Sequence, residues 1–216
     1  MRRLDAIGWS KPLVVLLALM PLLLLVLAAL HDTLGPDPVS QLEKRTGIWA
    51  LRLLLLTLSI TPLRRITGWN GLIRYRRMLG LFAFFYASVH LTVYLVIDLG
   101  GFWSQIFAEI AKKPYITVGF AAWLLLIPLA LTSTRGMMRR MGRHWSQLHK
   151  LVYAIGVLAI LHFVWQVKFG RTIAVREPVI YAAILAALLL ARWRPKRAAL
   201  SARPAPARSP APAPPP

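Results

Sequence analysis

Three histidines stand where an apolar chain has least use for them. His149 and His162 fall in RHWSQLHKLVYAIGVLAILHFVWQVK, residues 143–168, and His90 falls in LGLFAFFYASVHLTVYLVI. Both stretches are apolar for most of their length and long enough to cross a bilayer. An ionisable group inside a membrane span is costly and marks a site. Imidazole is a common metal ligand, so three of them read as a ligand set for a metal cofactor. The chain has no cysteine, which excludes disulfides, cysteine-ligated iron–sulfur clusters and haem attached through C-x-x-C-H. A non-covalent cofactor held by histidine remains open.

Depth sorts the three. Thirteen residues separate His149 from His162, so on one straight helix they stand roughly 20 Å apart along the axis and some 140° apart around it. They cannot share one metal. His162 lies 18 residues beyond His144, and His90 lies about 13 beyond Arg77, which puts both in the outer half of the membrane. Haem iron accepts two axial imidazoles, one on each face of the ring, and a helical bundle can hold that ring between facing helices. Zinc would want more ligands, and no carboxylate or cysteine lies at that depth. The alternative is a pair of histidines hydrogen-bonded in the core. His149 also has two readings, a ligand of a second, inner haem or a polar residue at the inner interface. Where an inner partner would stand on the His90 helix, the sequence has Arg76 instead.

The elements that must position these residues follow from composition. The chain of 216 residues is 57% hydrophobic with a formal charge of +20. It reads as an all-α membrane protein with six transmembrane helices. Spans are expected at residues 12–30, 47–62, 78–97, 115–132, 143–168 and 178–193, with a short amphipathic surface segment at 102–113. The first is read as a retained helix rather than a cleaved signal, with His31 at its exit. The domain plan is a cytoplasmic N-terminus at 1–11, a haem-binding transmembrane bundle at 12–193, and a disordered Pro/Ala-rich tail at 194–216. The N-terminus, the second and fourth connections and the tail carry 3, 5, 4 and 6 Lys/Arg, 18 together, against 7 in the opposite connections. That bias puts both termini in the cytoplasm. It also accounts for the charge without nucleic acid.

Haem propionates are anionic and want basic partners. Arg52, in the second span, is either snorkelling to the interface or a partner for an outer propionate. Arg74, Arg76, Arg77, Arg139, Arg140 and Arg143 are candidates for an inner haem or a flavin phosphate, or serve topology and lipid headgroups.

The segments DPVSQLEKRTGIWALRLLLLTLSITPLRR, RRMLGLFAFFYASVHLTVY, KPYITVGFAAWLLLIPLALTSTRGMMRRMGRHWSQLHKLVY and ILHFVW cover most of residues 37–168. In them the chain resembles the MsrQ (YedZ) family, the haem-bearing membrane subunits of a bacterial periplasmic methionine sulfoxide reductase system, within the wider ferric-reductase-like transmembrane group. The resemblance implies haem b ligated by residues matching His90, His149 and His162, with FMN as an associated cofactor. It implies an inner-membrane location and electrons passed from the quinone pool to MsrP, a periplasmic molybdopterin enzyme that reduces oxidised methionine in proteins. Compared with the NADPH oxidases of the wider group, the inner histidine of the third span is missing.

About 23 residues follow the last span, too few for a flavin and nicotinamide domain, so a separate donor, a quinol or a flavoprotein, is expected. The first expectation is therefore an electron-transfer subunit, with methionine sulfoxide reduction on the partner. A membrane ferric or metal-ion reductase is the second, and a haem-free histidine-lined transporter the third.

Overall fold

In bilayer hydrocarbon every backbone polar group must be satisfied within the segment, so an apolar chain of this composition folds as helices. The computed structural model describes residues 5–169 and 176–193, and among these no strand occurs. In order they are α1 (Asp5–Leu30), α2 (Pro38–Thr67), α3 (Ile73–Thr92), α4 (Trp103–Lys112), α5 (Pro114–Leu131), α6 (Arg135–Met141), α7 (Arg143–Leu148), α8 (Leu151–Phe169) and α9 (Arg176–Trp193). Among the described residues, five stretches are long and apolar enough to cross a membrane: 10–30, 38–67, 70–98, 114–131 and 143–167. Helix α9 has 18 residues, but Arg176, Glu177 and Arg192 lie within it. The tail expected to be disordered, residues 194–216, lies outside the described residues, as do residues 1–4 and 170–175.

Two helical pairs form the body, α2 against α3 and α5 against α8. Their core is built from Leu51, Leu54, Leu58, Ala83, Tyr86, Leu126 and Ile155, all buried. The opposite faces carry exposed leucines, such as Leu16, Leu17 and Leu24 on α1, as lipid-facing surfaces do. Helix α1 is fastened beside Pro21, a residue that supplies no N–H and crowds the preceding turn. There the Tyr86 hydroxyl donates to the Ala18 carbonyl at 2.8 Å and accepts from the Leu22 N–H at 3.1 Å. Helix α9 is tied by Arg192, which donates to the Leu58 carbonyl at 2.7 Å and to the Tyr153 hydroxyl.

The expected spans shift in three places. Helix α2 starts at Pro38, not at 47, because Asp37 caps it by accepting from the Ser40 N–H at 3.1 Å, with Pro38 in its first turn. It runs on to Thr67 and ends on Gly68 at φ 68°. The third span begins earlier, at Ile73, and finishes in a π-helical turn, Val93–Asp98. The fifth span is not one straight helix. The Lys150 and Tyr153 N–H groups bond three residues back, to Gln147 and Lys150, which tightens the backbone between α7 and α8. The angle of some 140° expected between His149 and His162 assumed a regular helix.

Candidate functional site

His90 on α3 and His162 on α8 face each other across the bundle, with ring centroids 6.1 Å apart and planes at 73°. Each imidazole is aimed by the same local device on the neighbouring helix. His90 Nδ1 donates to the Glu43 carbonyl on α2 at 3.0 Å, and His162 Nδ1 donates to the Tyr115 carbonyl on α5 at 2.7 Å. Those carbonyls belong to helices, so each uses its second lone pair. A carbonyl can only accept, so the neutral ring carries its proton on Nδ1, and Nε2 is left with its lone pair. Neither Nε2 has a hydrogen-bond partner among the described residues.

Four residues past each carbonyl stands a glycine, Gly47 and Gly119. A Cβ on Gly47 would meet His90 Nδ1 and Cε1 at 3.2 Å; one on Gly119 would meet His162 Nδ1 at 2.6 Å. The rings occupy the space that side chains would fill. Sequence reasoning missed both glycines. The available signal was a lone glycine in each of two otherwise bulky apolar helices.

The donor set fits a porphyrin iron. No group of three or more His, Cys, Asp or Glu able to hold a metal occurs among the described residues. A metal bound by only two imidazoles must bring its remaining ligands with it, as iron in a macrocycle does.

The pair lines a cavity of about 240 Å³ between α2, α3, α5 and α8, walled by apolar residues such as Leu51, Ala83, Ala87 and Phe163. Its polar lining includes Glu43, Lys44, Tyr94, Asp98 and Lys113. Glu109 on α4 accepts from Lys113. This contact holds the Glu109 carboxyl below, and the Lys113 ammonium above, their ordinary ranges, so both stay charged at neutral pH.

A second cavity of about 550 Å³ lies at the other end of the bundle. His149 lines it with Lys11, Arg74, Arg76, Arg77 and Arg135, and among the described residues no acidic one is in its lining. The two cavities share Leu54 and Leu126 as walls. Phe84 on the one side stacks on Trp123 on the other, with centroids 6.5 Å apart. His149 differs from the other two histidines. Its Nε2 lies 3.2 Å from Thr132 Oγ1, whose own hydrogen goes to the Pro128 carbonyl at 2.6 Å. Nε2 is therefore the donor, and in the neutral ring the lone pair lies on Nδ1. The ring stacks on Trp145 at 4.0 Å.

The other expected anion partners lie elsewhere. Arg52 is exposed, outside both cavity linings. It donates to the Tyr181 hydroxyl at 2.8 Å and sits 5.0 Å from the Trp49 ring, so it straps α9 to α2. Arg139, Arg140 and Arg143 are exposed, and none of them lines the second cavity.

Residues 46–160 match the family of ferric reductase like transmembrane components. The chain is 64% identical over 183 residues to a protein of Xanthomonas campestris pv. campestris (strain 8004), covering 85% of this chain and 81% of that one. It is 58% identical over 209 residues to one of Xanthomonas oryzae pv. oryzae (strain MAFF 311018), covering 94% and 93%. To a protein of Herminiimonas arsenicoxydans it is 48% identical over 183 residues, covering 84% and 83%. All three relatives are named protein-methionine-sulfoxide reductase heme-binding subunit MsrQ.

Proposed function

The chain belongs to the MsrQ family of heme-binding subunits of protein-methionine-sulfoxide reductases, and from that premise we propose that it is a haem b electron-transfer subunit of the bacterial inner membrane. It passes electrons from the quinone pool or a flavin donor to the periplasmic molybdopterin enzyme MsrP, which reduces methionine sulfoxide in proteins. Both termini face the cytoplasm, and α9 is the sixth span. The observation that carries this reading is the pair of facing imidazoles, 6.1 Å apart, each with Nδ1 tied to a backbone carbonyl.

In this reading His90 and His162 are the residues that would hold the haem iron. A b-type haem, when bound, supplies one-electron exchange at its iron without proton or group transfer. The chain's own residues do the rest. The Glu43 and Tyr115 carbonyls fix tautomer and ring direction, and such outer partners strengthen the ligand they orient. Apolar side chains such as Leu51, Ala83 and Phe163 wall the rings.

The second cavity is assigned to the phosphate end of FMN. Five cations line it without an acidic neighbour, which suits a dianion. FMN supplies two-electron to one-electron conversion when bound. Arg74, Arg76 and Arg77, close to the start of α3, would hold its phosphate, and His149 with Trp145 gives a flat aromatic wall.

The test is a reduced-minus-oxidised spectrum of purified protein with His90→Ala and His162→Ala. Each substitution should abolish the low-spin signal, while His149→Ala keeps it. Full haem retention in His90→Ala overturns the pairing. Rapid iron reduction with no reduction of oxidised MsrP would favour a metal reductase.

A further inference from the structure

Two polar side-chain atoms in the outer cavity lack partners. Glu43 Oε1 and the Tyr94 hydroxyl are both buried and make no hydrogen bond. A buried polar atom without a partner is destabilising, so two in one cavity point to a missing partner. Both residues line the cavity that holds His90 and His162. The exposed Lys44 and Asp98 belong to the same lining and mark where the cavity meets the surface.

The chemistry of the orphans restricts the partner. A carboxyl oxygen accepts a hydrogen bond, and a phenol hydroxyl can donate one. Glu43 and Tyr94 do not bond each other, so a group that donates to one and accepts from the other completes both. An uncharged hydroxyl does this. The walls beyond the orphans are apolar, with Leu51, Ala87, Leu91 and Leu95 among them, and they lie inside membrane-spanning helices. The fitting ligand is a lipophilic, hydroxyl-bearing ring. Tyr94 also sits in the π-helical turn Val93–Asp98, a distortion that recurs at functional sites.

We propose that Glu43 and Tyr94 form the headgroup site of a membrane hydroquinone, at the mouth of the cavity shared by His90 and His162. The site rests on the reading of that cavity as the haem site and gives the quinol a place in it. It separates two entry points. The hydroquinone meets the pathway at the outer cavity, and the arginine-lined inner cavity serves a flavin.

The experiment uses haem-loaded protein in nanodiscs of synthetic phosphatidylcholine free of quinone. The probe is 2-heptyl-4-hydroxyquinoline N-oxide, a fluorescent quinol analogue titrated to saturation. Wild type should bind it, and Glu43→Gln and Tyr94→Phe should each weaken binding tenfold or more, with haem content and Soret band unchanged. Arg76→Gln should bind like wild type. The proposal is overturned if Glu43→Gln and Tyr94→Phe bind like wild type, or if Arg76→Gln removes binding. It is equally overturned if the two outer variants lose haem or shift the propionate bands in resonance Raman spectra, because the orphans would then serve the porphyrin. A wild type without haem that still binds the probe through Glu43 and Tyr94 would refute the haem reading and keep this site.

Discussion

Gly119→Ala tests the site's geometry through a residue that bears no functional group. The added Cβ would stand 2.6 Å from His162 Nδ1, 2.8 Å from Cε1 and 3.1 Å from Cγ. Three ring atoms are too close, so the ring must move by close to 1 Å or the helices must part; overpacking of this kind costs about 1–3 kcal/mol. A ring pushed off α5 also loses its 2.7 Å bond to the Tyr115 carbonyl. Loss of a partner that orients a metal ligand typically costs about 10–100-fold in metal affinity. Gly47→Ala is milder, because its Cβ meets His90 at 3.2 Å and a few tenths of an ångström relieve it. Gly156→Ala is the control. Its Cβ meets Leu185 Cδ1 at 3.2 Å and Leu58 Cδ1 at 3.6 Å, and no histidine is among its three nearest atoms. The assay is haem titration of each apoprotein, followed at the Soret band, with thermal unfolding alongside. Gly119→Ala should lose at least tenfold in affinity, Gly47→Ala less than that, and Gly156→Ala only stability. Wild-type affinity and spectrum in Gly119→Ala would refute the claim that the ring is seated against α5.

Pyridine haemochrome should give one haem per chain, and two would contradict the assignment of the arginine-lined cavity to FMN. Arg76→Gln with Arg77→Gln should weaken FMN binding tenfold or more, measured by flavin fluorescence, and leave the Soret band in place. Tyr86→Phe removes the hydroxyl that bridges Ala18 and Leu22; it should cost about 1–2 kcal/mol in unfolding experiments and expose α1 to proteolysis.

The sequence carried the chemistry better than its support. Apolar stretches located the helical bundle, because lipid-facing and core-facing positions are both apolar. Counting residues from the basic ends placed His90 and His162 at one depth, and the structure brings them face to face. What counting could not show depends on tertiary approach. The Glu43 and Tyr115 carbonyls are backbone atoms without a residue signature. Gly47 and Gly119 matter only because a ring from another helix lies against them. The polar segment VSQLEKRT lies before the span expected at 47–62 because it is not apolar, although Asp37 and Pro38 carry a helix-start signal. Arg52 shows the converse. A cation in a span invites an anion, but its partners are a tyrosine hydroxyl and an indole ring.

The paired device also says how cofactor binding and folding are joined. Helix α2 gives a carbonyl and a glycine to a histidine on α3; helix α5 gives the same to a histidine on α8. Each histidine is thus seated within its own helical pair, and only a shared metal would tie the two pairs covalently. Without it, two imidazoles remain in an apolar cavity with unpartnered Nε2 atoms. A ligand that binds only the folded state stabilises it by mass action, about 2.7 kcal/mol at a hundredfold excess over Kd. Haem should therefore raise the melting temperature of wild type. His90→Ala should remove that increment, read against the variant's own haem-free melting temperature, which falls because the ring packs on Gly47 and bonds the Glu43 carbonyl. A haem-induced rise that persists in His90→Ala would mean that one pair alone holds the cofactor, and the account of a bridge between pairs would fail.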